Sequence, residues 1–248
     1  PFHLFRRSGG EKVSRGELSL ALLGGLFLAL HFATWITSLS YTSVASSVLL
    51  VNTHPVLVFV FSRLVLKEGG SRGDSFYVLL TLLGSALLSW GDLTLGRQAL
   101  LGDFLALLGA VSVAGYMLIG RVVRRNMGVA RYTFIVYGSC ALFLLLGLGL
   151  FSLPLGPYSG KDFALFFALA FFCTILGHGI YNWALRFVGP TFLSVNVLLE
   201  PVAAGVMAYF FFQEIPGGLN ILGAAVVLLG IFGYSRGENK RRTMKNSS

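Results

Sequence analysis

Eight runs of predominantly apolar residues, each near the roughly 20 residues a helix needs to cross a bilayer, take up almost the whole chain. They are Leu18 to Leu39, Val44 to Leu66, Ser75 to Leu93, Leu100 to Val123, Tyr132 to Leu153, Phe163 to Phe187, Thr191 to Phe212 and Leu219 to Ser235. The connections are short and rich in turn formers: Gly69-Gly70, Gly96, Gly128, Pro154 to Gly160, Gly189-Pro190 and Pro216 to Gly218. Helices joined this tightly are expected to run antiparallel to their neighbours. Charged residues make up 12% of the 248, half the share of about 25% in soluble domains, and the mean hydropathy is +0.78. Too few ionised side chains remain to clothe a soluble surface, so the expected class is an all-α polytopic membrane protein. Cys140 and Cys173 lie inside apolar runs, where a thiol packs as a small hydrophobe, so neither a disulfide nor a metal site is expected.

The formal net charge of +9 would suit a nucleic-acid partner, but its distribution gives it another meaning. With the N-terminus inside, the inner segments hold 17 of the 19 Lys and Arg residues, leaving only Arg97 and Lys161 outside. Positive residues flanking spans stay on the cytoplasmic side, and a wrong span count would invert every later loop. Both termini are therefore expected in the cytoplasm, and no nucleic acid is expected as a partner. The polar stretch from Gly237 to Ser248 reads as a disordered basic tail close to membrane lipid.

The chain also repeats itself. At an offset of 146 residues, Ser38 to Pro55 lies over Ala184 to Pro201, and the register continues with Glu68 over Glu214 and Gly84 over Gly230. Spans one to three thus correspond to spans six to eight. The repeat advances by five helices, an odd number, so the two copies cross the membrane in opposite directions. Inverted repeats of this kind build many secondary transporters, with the substrate site near the midplane at the repeat interface. A complete unit would have five helices, and two helices are expected to precede the first span.

These residues resemble the EamA branch of the drug/metabolite transporter superfamily. The resemblance rests on Tyr41-Thr-Ser-Val-Ala before Pro55 and Lys67-Glu68 after it, on Gly102-Asp103 with Tyr116 and Arg121, and on Pro201 with Glu214. It implies a ten-helix fold of two inverted five-helix repeats, of which eight helices are present here. It divides the chain into a cytoplasmic N-terminal remnant (1–17), the last three helices of the first repeat (18–95), the five-helix second repeat (100–236) and a basic cytoplasmic tail (237–248). It also implies metabolite efflux across a bacterial inner membrane, a small-molecule substrate and no cofactor. A homodimer of such chains stays open.

Among Asp, Glu, Lys and Arg residues, only Glu200 lies deep in an expected span, where a charge is costly and functional by default. His54 occupies the equivalent place in the first repeat, and both directly precede a proline. The two are candidates for proton coupling. Pro55 and Pro201 leave the carbonyls of Val51 and Val197 without their helical donors and mark kinks or hinges. Candidate cavity residues are His31, Thr34, Trp35 and Ser38 on one face of span one, and His178, Tyr181, Asn182 and Trp183 in its repeat partner. Tyr116 and Asn196 join them. Glu68 and Glu214, at span ends, read as loop or gate anchors, and Gly84, Gly109, Gly115, Gly177, Gly223 and Gly230 as points of close helix approach.

No HExxH, GxSxG or paired-acid motif occurs, so an enzyme is not expected. A secondary transporter of amino acids or related small metabolites is the favoured reading. A channel-like or structural membrane subunit, and a sugar-phosphate or nucleotide-sugar type carrier, are the alternatives. No Lys or Arg stands at mid-span to hold a phosphate.

Overall fold

In the computed structural model, residues 13–68, 71–88, 97–153, 156–213, 215 and 217–246 are described. Among them every regular element is helical. The order is α1 (Arg15–Ser38), α2 (Val44–Val51), α3 (His54–Leu64), α4 (Arg72–Leu88), α5 (Arg97–Val123), α6 (Val129–Leu150) and α7 (Gly160–Ala168). A π-helical segment (Leu169–His178) follows, then α8 (Gly179–Ala184), α9 (Pro190–Val197), α10 (Glu200–Phe212) and α11 (Gly218–Asn246). Glu214, Gly69-Gly70, Gly96, Pro154 and Pro216 lie outside the described residues.

Among the described residues, seven helical stretches are long and apolar enough to cross a membrane, and a further one, Gly73–Leu87, is shorter. Two of the seven are broken. Val44–Leu64 is interrupted at Asn52-Thr53, and Pro190–Phe211 at Leu198-Leu199. Adding 146 to the first break gives the second, and the bounds Val44–Val51 map onto Pro190–Val197 residue for residue. At both places the α-helical pattern gives way for two residues to i→i+3 turns, with the Thr53 amide on the Leu50 carbonyl and the Leu199 amide on the Asn196 carbonyl, each at 3.1 Å, and each proline is the second residue of the half-helix that follows, where a missing N–H is tolerated.

The chain forms two compact units. One combines the described part of Pro1–Ala29 with Ile119–Val188, and the other combines Leu30–Leu118 with the described part of Gly189–Ser248. In the first, Gly25 admits the Ser139 side chain and the Val136 carbonyl, while Gly24 rests on Tyr132 and Val136. The second is centred on a buried cluster of Phe59, Val78, Val195, Leu198, Val227, Ile231 and Tyr234.

Helices α4 and α11 pack closely in that second unit. A Cβ on Gly84 would lie 2.6 Å from the Val227 amide nitrogen and 2.8 Å from the Gly223 carbonyl, and one on Gly230 would meet the Thr81 backbone at 2.9 Å. Gly233 faces the Tyr77 ring and Gly237 faces Asp74. The partners run in opposite order along the two helices, which are antiparallel. The repeat offset carries Gly84 to Gly230 and Thr81 to Val227, so each of the two contacts is the image of the other. Two-fold related, inverted copies would produce that exchange.

One expectation needs correction. Gly237 to Asn246 is not a disordered tail, because α11 runs on to Asn246. Its extension is tied down: Arg241 pairs with Asp74 at the start of α4 and with Glu238 at 2.8 Å, one turn back along α11.

Candidate functional site

The half-helices carry the first group of candidates. His54 is buried, and its Nδ1 lies 3.0 Å from the Val51 carbonyl oxygen, so the ring donates there and holds its proton on Nδ1. The carbonyl expected to be left bare by Pro55 is thus capped by the residue before it. Glu200 stands in the equivalent place at the head of α10 and is exposed. A helix N-terminus favours a carboxylate through its unpaired N–H groups and dipole. Pro55 is buried and Pro201 partly so.

The second group lies where α1 meets α5 in the same unit. His31 Nδ1 donates to the Gly109 carbonyl at 2.9 Å, and its ring stacks on Trp35 with centroids 5.5 Å apart. Gly109 permits this approach, since a Cβ there would sit 3.2 Å from Trp35 Cβ. The Trp35 indole nitrogen is buried and has no hydrogen-bond partner. Thr34 bonds back to the Leu30 carbonyl at 2.8 Å, and Ser38 joins the Trp35 carbonyl to Ser47. Thr34 thus bonds within its own helix, and Ser38 ties α1 to α2. Tyr116 is buried on α5, and Asn196 spends its amide on the Phe192 carbonyl of its own helix.

Sequence reasoning missed two polar groups along this interface. Asp103 Oδ1 and Thr42 Oγ1 are both buried without a partner, and Gly102 lets α5 touch Thr42. An orphaned buried polar atom costs about 1–3 kcal/mol, so Trp35, Asp103 and Thr42 are groups that water or a solute would satisfy better than the apolar side chains around them. The signal is the Gly102-Asp103 pair, whose carboxylate stands only four residues into an expected span.

The remaining candidates belong to the other unit. His178 ends the π-helical segment, Tyr181 is half-buried, and Trp183 is exposed and tilted against Phe187. Asn182 is fully buried, and its Nδ2 donates to the Tyr137 hydroxyl at 3.0 Å. Tyr137 in turn reaches the Thr174 carbonyl at 3.4 Å within the π-helical turn. A wide turn of this kind lies often at functional positions in helices. Gly177 touches only the Phe172 carbonyl of its own segment and mediates no helix approach. Arg124 is buried and donates from Nε to the Asn182 carbonyl at 2.8 Å, and also to the Met127 carbonyl. Burial first, then nearby Arg186, pushes its guanidinium down to about 10. Arg121 donates to the Leu185 carbonyl at 2.8 Å. Together they cap the carbonyl end of α8, where cations are favoured.

Among the described residues no group of three or more His, Cys, Asp or Glu side chains is placed to hold a metal. The EamA-like transporter family model matches residues 1–90 and 100–236. The chain belongs to the EamA-like transporter family. It is an integral membrane transporter and not an enzyme. It is 24% identical to the pseudopaline exporter CntI of Pseudomonas aeruginosa, over 94% of this chain and 81% of that protein. It is 22% identical to the uncharacterized transporter YyaM of Bacillus subtilis, over 89% of this chain and 74% of that one. It is also 25% identical to mouse solute carrier family 35 member G1, over 94% of this chain and 66% of that protein. A solved crystal structure shares the fold with a TM-score of 0.71 at 20% identity, covering 89% of this chain and 76% of that one.

Proposed function

We propose that this EamA-family chain exports amino acids or related small metabolites across a bacterial inner membrane by alternating access, with both termini in the cytoplasm and protons coupled through Glu200. The observation that carries the coupling is the pairing of Glu200 with His54. His54 caps the Val51 carbonyl that Pro55 frees, and Glu200 stands in the same place before Pro201. A neutral carboxylic acid can donate to the Val197 carbonyl, whereas a carboxylate cannot. Protonation then closes a cap at the break between α9 and α10, and proton release opens it.

The solute is read as one with an aromatic-compatible body and a few hydrogen-bonding groups. Trp35 supplies a stacked ring and a free indole N–H. The lack of mid-span Lys or Arg weighs against phosphate-bearing solutes. The direction, outward, follows the relative named as an exporter. A homodimer is compatible with this reading and is not required by it.

Glu200→Gln tests the coupling, because the amide retains a donor for the cap but binds no proton. In proteoliposomes the variant is expected to lose proton-driven flux while keeping solute exchange. Unchanged proton-driven flux would overturn the role of Glu200.

A further inference from the structure

An inverted repeat offers two equivalent ends, and side chains decide which of them closes more firmly. At one end α3 packs on α9. There Ser62 and Thr191 are buried with their hydroxyl oxygens 3.5 Å apart. Around them gather the apolar side chains of Phe59, Ile231 and Tyr234. This end bears Arg63 in the last turn of α3 and Arg236 on α11, which makes it the cytoplasmic one in the orientation above.

The repeat offset supplies the comparison. Phe59 corresponds to Gly205, Val78 to Ala224, Leu198 to Asn52 and Ile231 to Ser85, while Thr191 corresponds to Ala45. Four bulky members of the cluster are thus matched by small or polar residues at the other end, while Tyr234 is matched by Leu88 and Val195 by Leu49. Exposure follows the same division. Val58 and Phe59 on α3 are 0% and 9% exposed, whereas Ala203 to Met207 on α10, their counterparts and neighbours, are exposed. A Cβ on Gly205 would meet nothing within 4 Å.

With alternating access and that orientation as its premise, we infer that Ser62, Thr191 and the plug of Phe59, Ile231 and Tyr234 form an inner gate that is intrinsically stronger than its outer counterpart. The resting carrier therefore faces outward. Packing density explains why: a large apolar cluster resists parting, and the Gly, Ala, Ser and Asn that replace Phe59, Val78, Ile231 and Leu198 at the other end interlock less. Glu200, exposed at the head of α10, is then presented to the outside before the carrier turns inward.

The gate is tested without any solute, in the full chain with Cys140 and Cys173 replaced by Ser. Ser62→Cys with Thr191→Cys should form a disulfide in most molecules on mild oxidation in membranes, since the replaced oxygens already lie within reach. Gly205→Cys should react with an impermeant maleimide from the outer side at least about tenfold faster than Phe59→Cys reacts from the inner side. Tyr234→Ala should raise inner-side labelling at Thr191→Cys about tenfold while leaving Gly205→Cys labelling high, which reports that the chain is still folded. Failure of the disulfide to form, or equal labelling at the two ends, would overturn the gate. Neither readout depends on flux, so saturable transport with equal labelling rejects the gate alone. A gate that stands in a chain with unsaturable flux rejects the carrier reading instead.

Discussion

His54 Nδ1 lies 3.0 Å from the carbonyl oxygen of Val51, the group that loses its helical donor to Pro55. One side chain thus satisfies the backbone at a break inside a membrane span, where water cannot be counted on. His54→Ala is expected to destabilise the folded chain by about 1–3 kcal/mol, the cost of a buried acceptor left bare. His54→Gln, whose amide can also donate, should recover part of that loss. Thermal unfolding of the detergent-purified variants compares them, and equal midpoints for wild type and His54→Ala would deny the cap.

The glycines joining α4 and α11 make a second expectation. Gly230→Val must push against the Thr81 backbone at 2.9 Å, and Gly84→Val against the Val227 amide at 2.6 Å. Each should cost about 1–3 kcal/mol or more through overpacking. Gly205→Ala, with open space around the added carbon, should leave the unfolding midpoint within error of wild type. Size-exclusion profiles of the three variants after a heating series give the ranking.

Much of this architecture is legible in the sequence, and the reasons are physical. Eight spans follow from hydropathy alone, and the inverted pairing of Gly84 with Gly230 follows from counting helices between matched residues. The prolines announce disturbed helices at Pro55 and Pro201. They do not announce that the α-helical pattern is interrupted by two turn residues at Asn52-Thr53 and Leu198-Leu199, because that depends on what the surroundings offer the freed carbonyl. The π-helical turn at Leu169–His178 has no local code to betray it, and the Asn182–Tyr137 bond depends on the register of two helices far apart in sequence. That Thr34 and Asn196, polar residues on a promising face, bond back to their own helices is likewise set by side-chain rotamers and not by the sequence pattern. The continuation of α11 was missed because its anchor, Asp74, lies 167 residues from Arg241.

The orphaned polar atoms between α1 and α5 separate stability from function. Trp35→Phe removes an N–H that has no partner in the protein, so the folded state should be as stable as wild type, or slightly more so. If that N–H meets the solute, flux should fall by about tenfold, the worth of roughly 1.4 kcal/mol. Asp103→Asn should likewise keep the unfolding midpoint and lower flux. Parallel unfolding and flux assays decide the matter, and variants that transport at the wild-type rate would remove both residues from the solute path.

Arg124 gives a structural control in the other unit. It is buried and serves two backbone carbonyls, those of Asn182 and Met127. Lysine has a single nitrogen and cannot repeat the fork, so Arg124→Lys should lower the unfolding midpoint by an amount equivalent to about 1–3 kcal/mol. An unchanged midpoint would mean that the carbonyl end of α8 is held by other contacts.

The central claim, that this EamA-family chain is a carrier of small metabolites working by alternating access, is tested most directly by counterflow. Proteoliposomes preloaded with an unlabelled amino acid mixture are diluted into trace labelled amino acid, and uptake is followed with and without the internal load. A carrier predicts saturable uptake that overshoots equilibrium only when the inside is loaded. Flux that rises linearly with concentration and ignores the internal load would contradict the account and leave the channel-like alternative in its place.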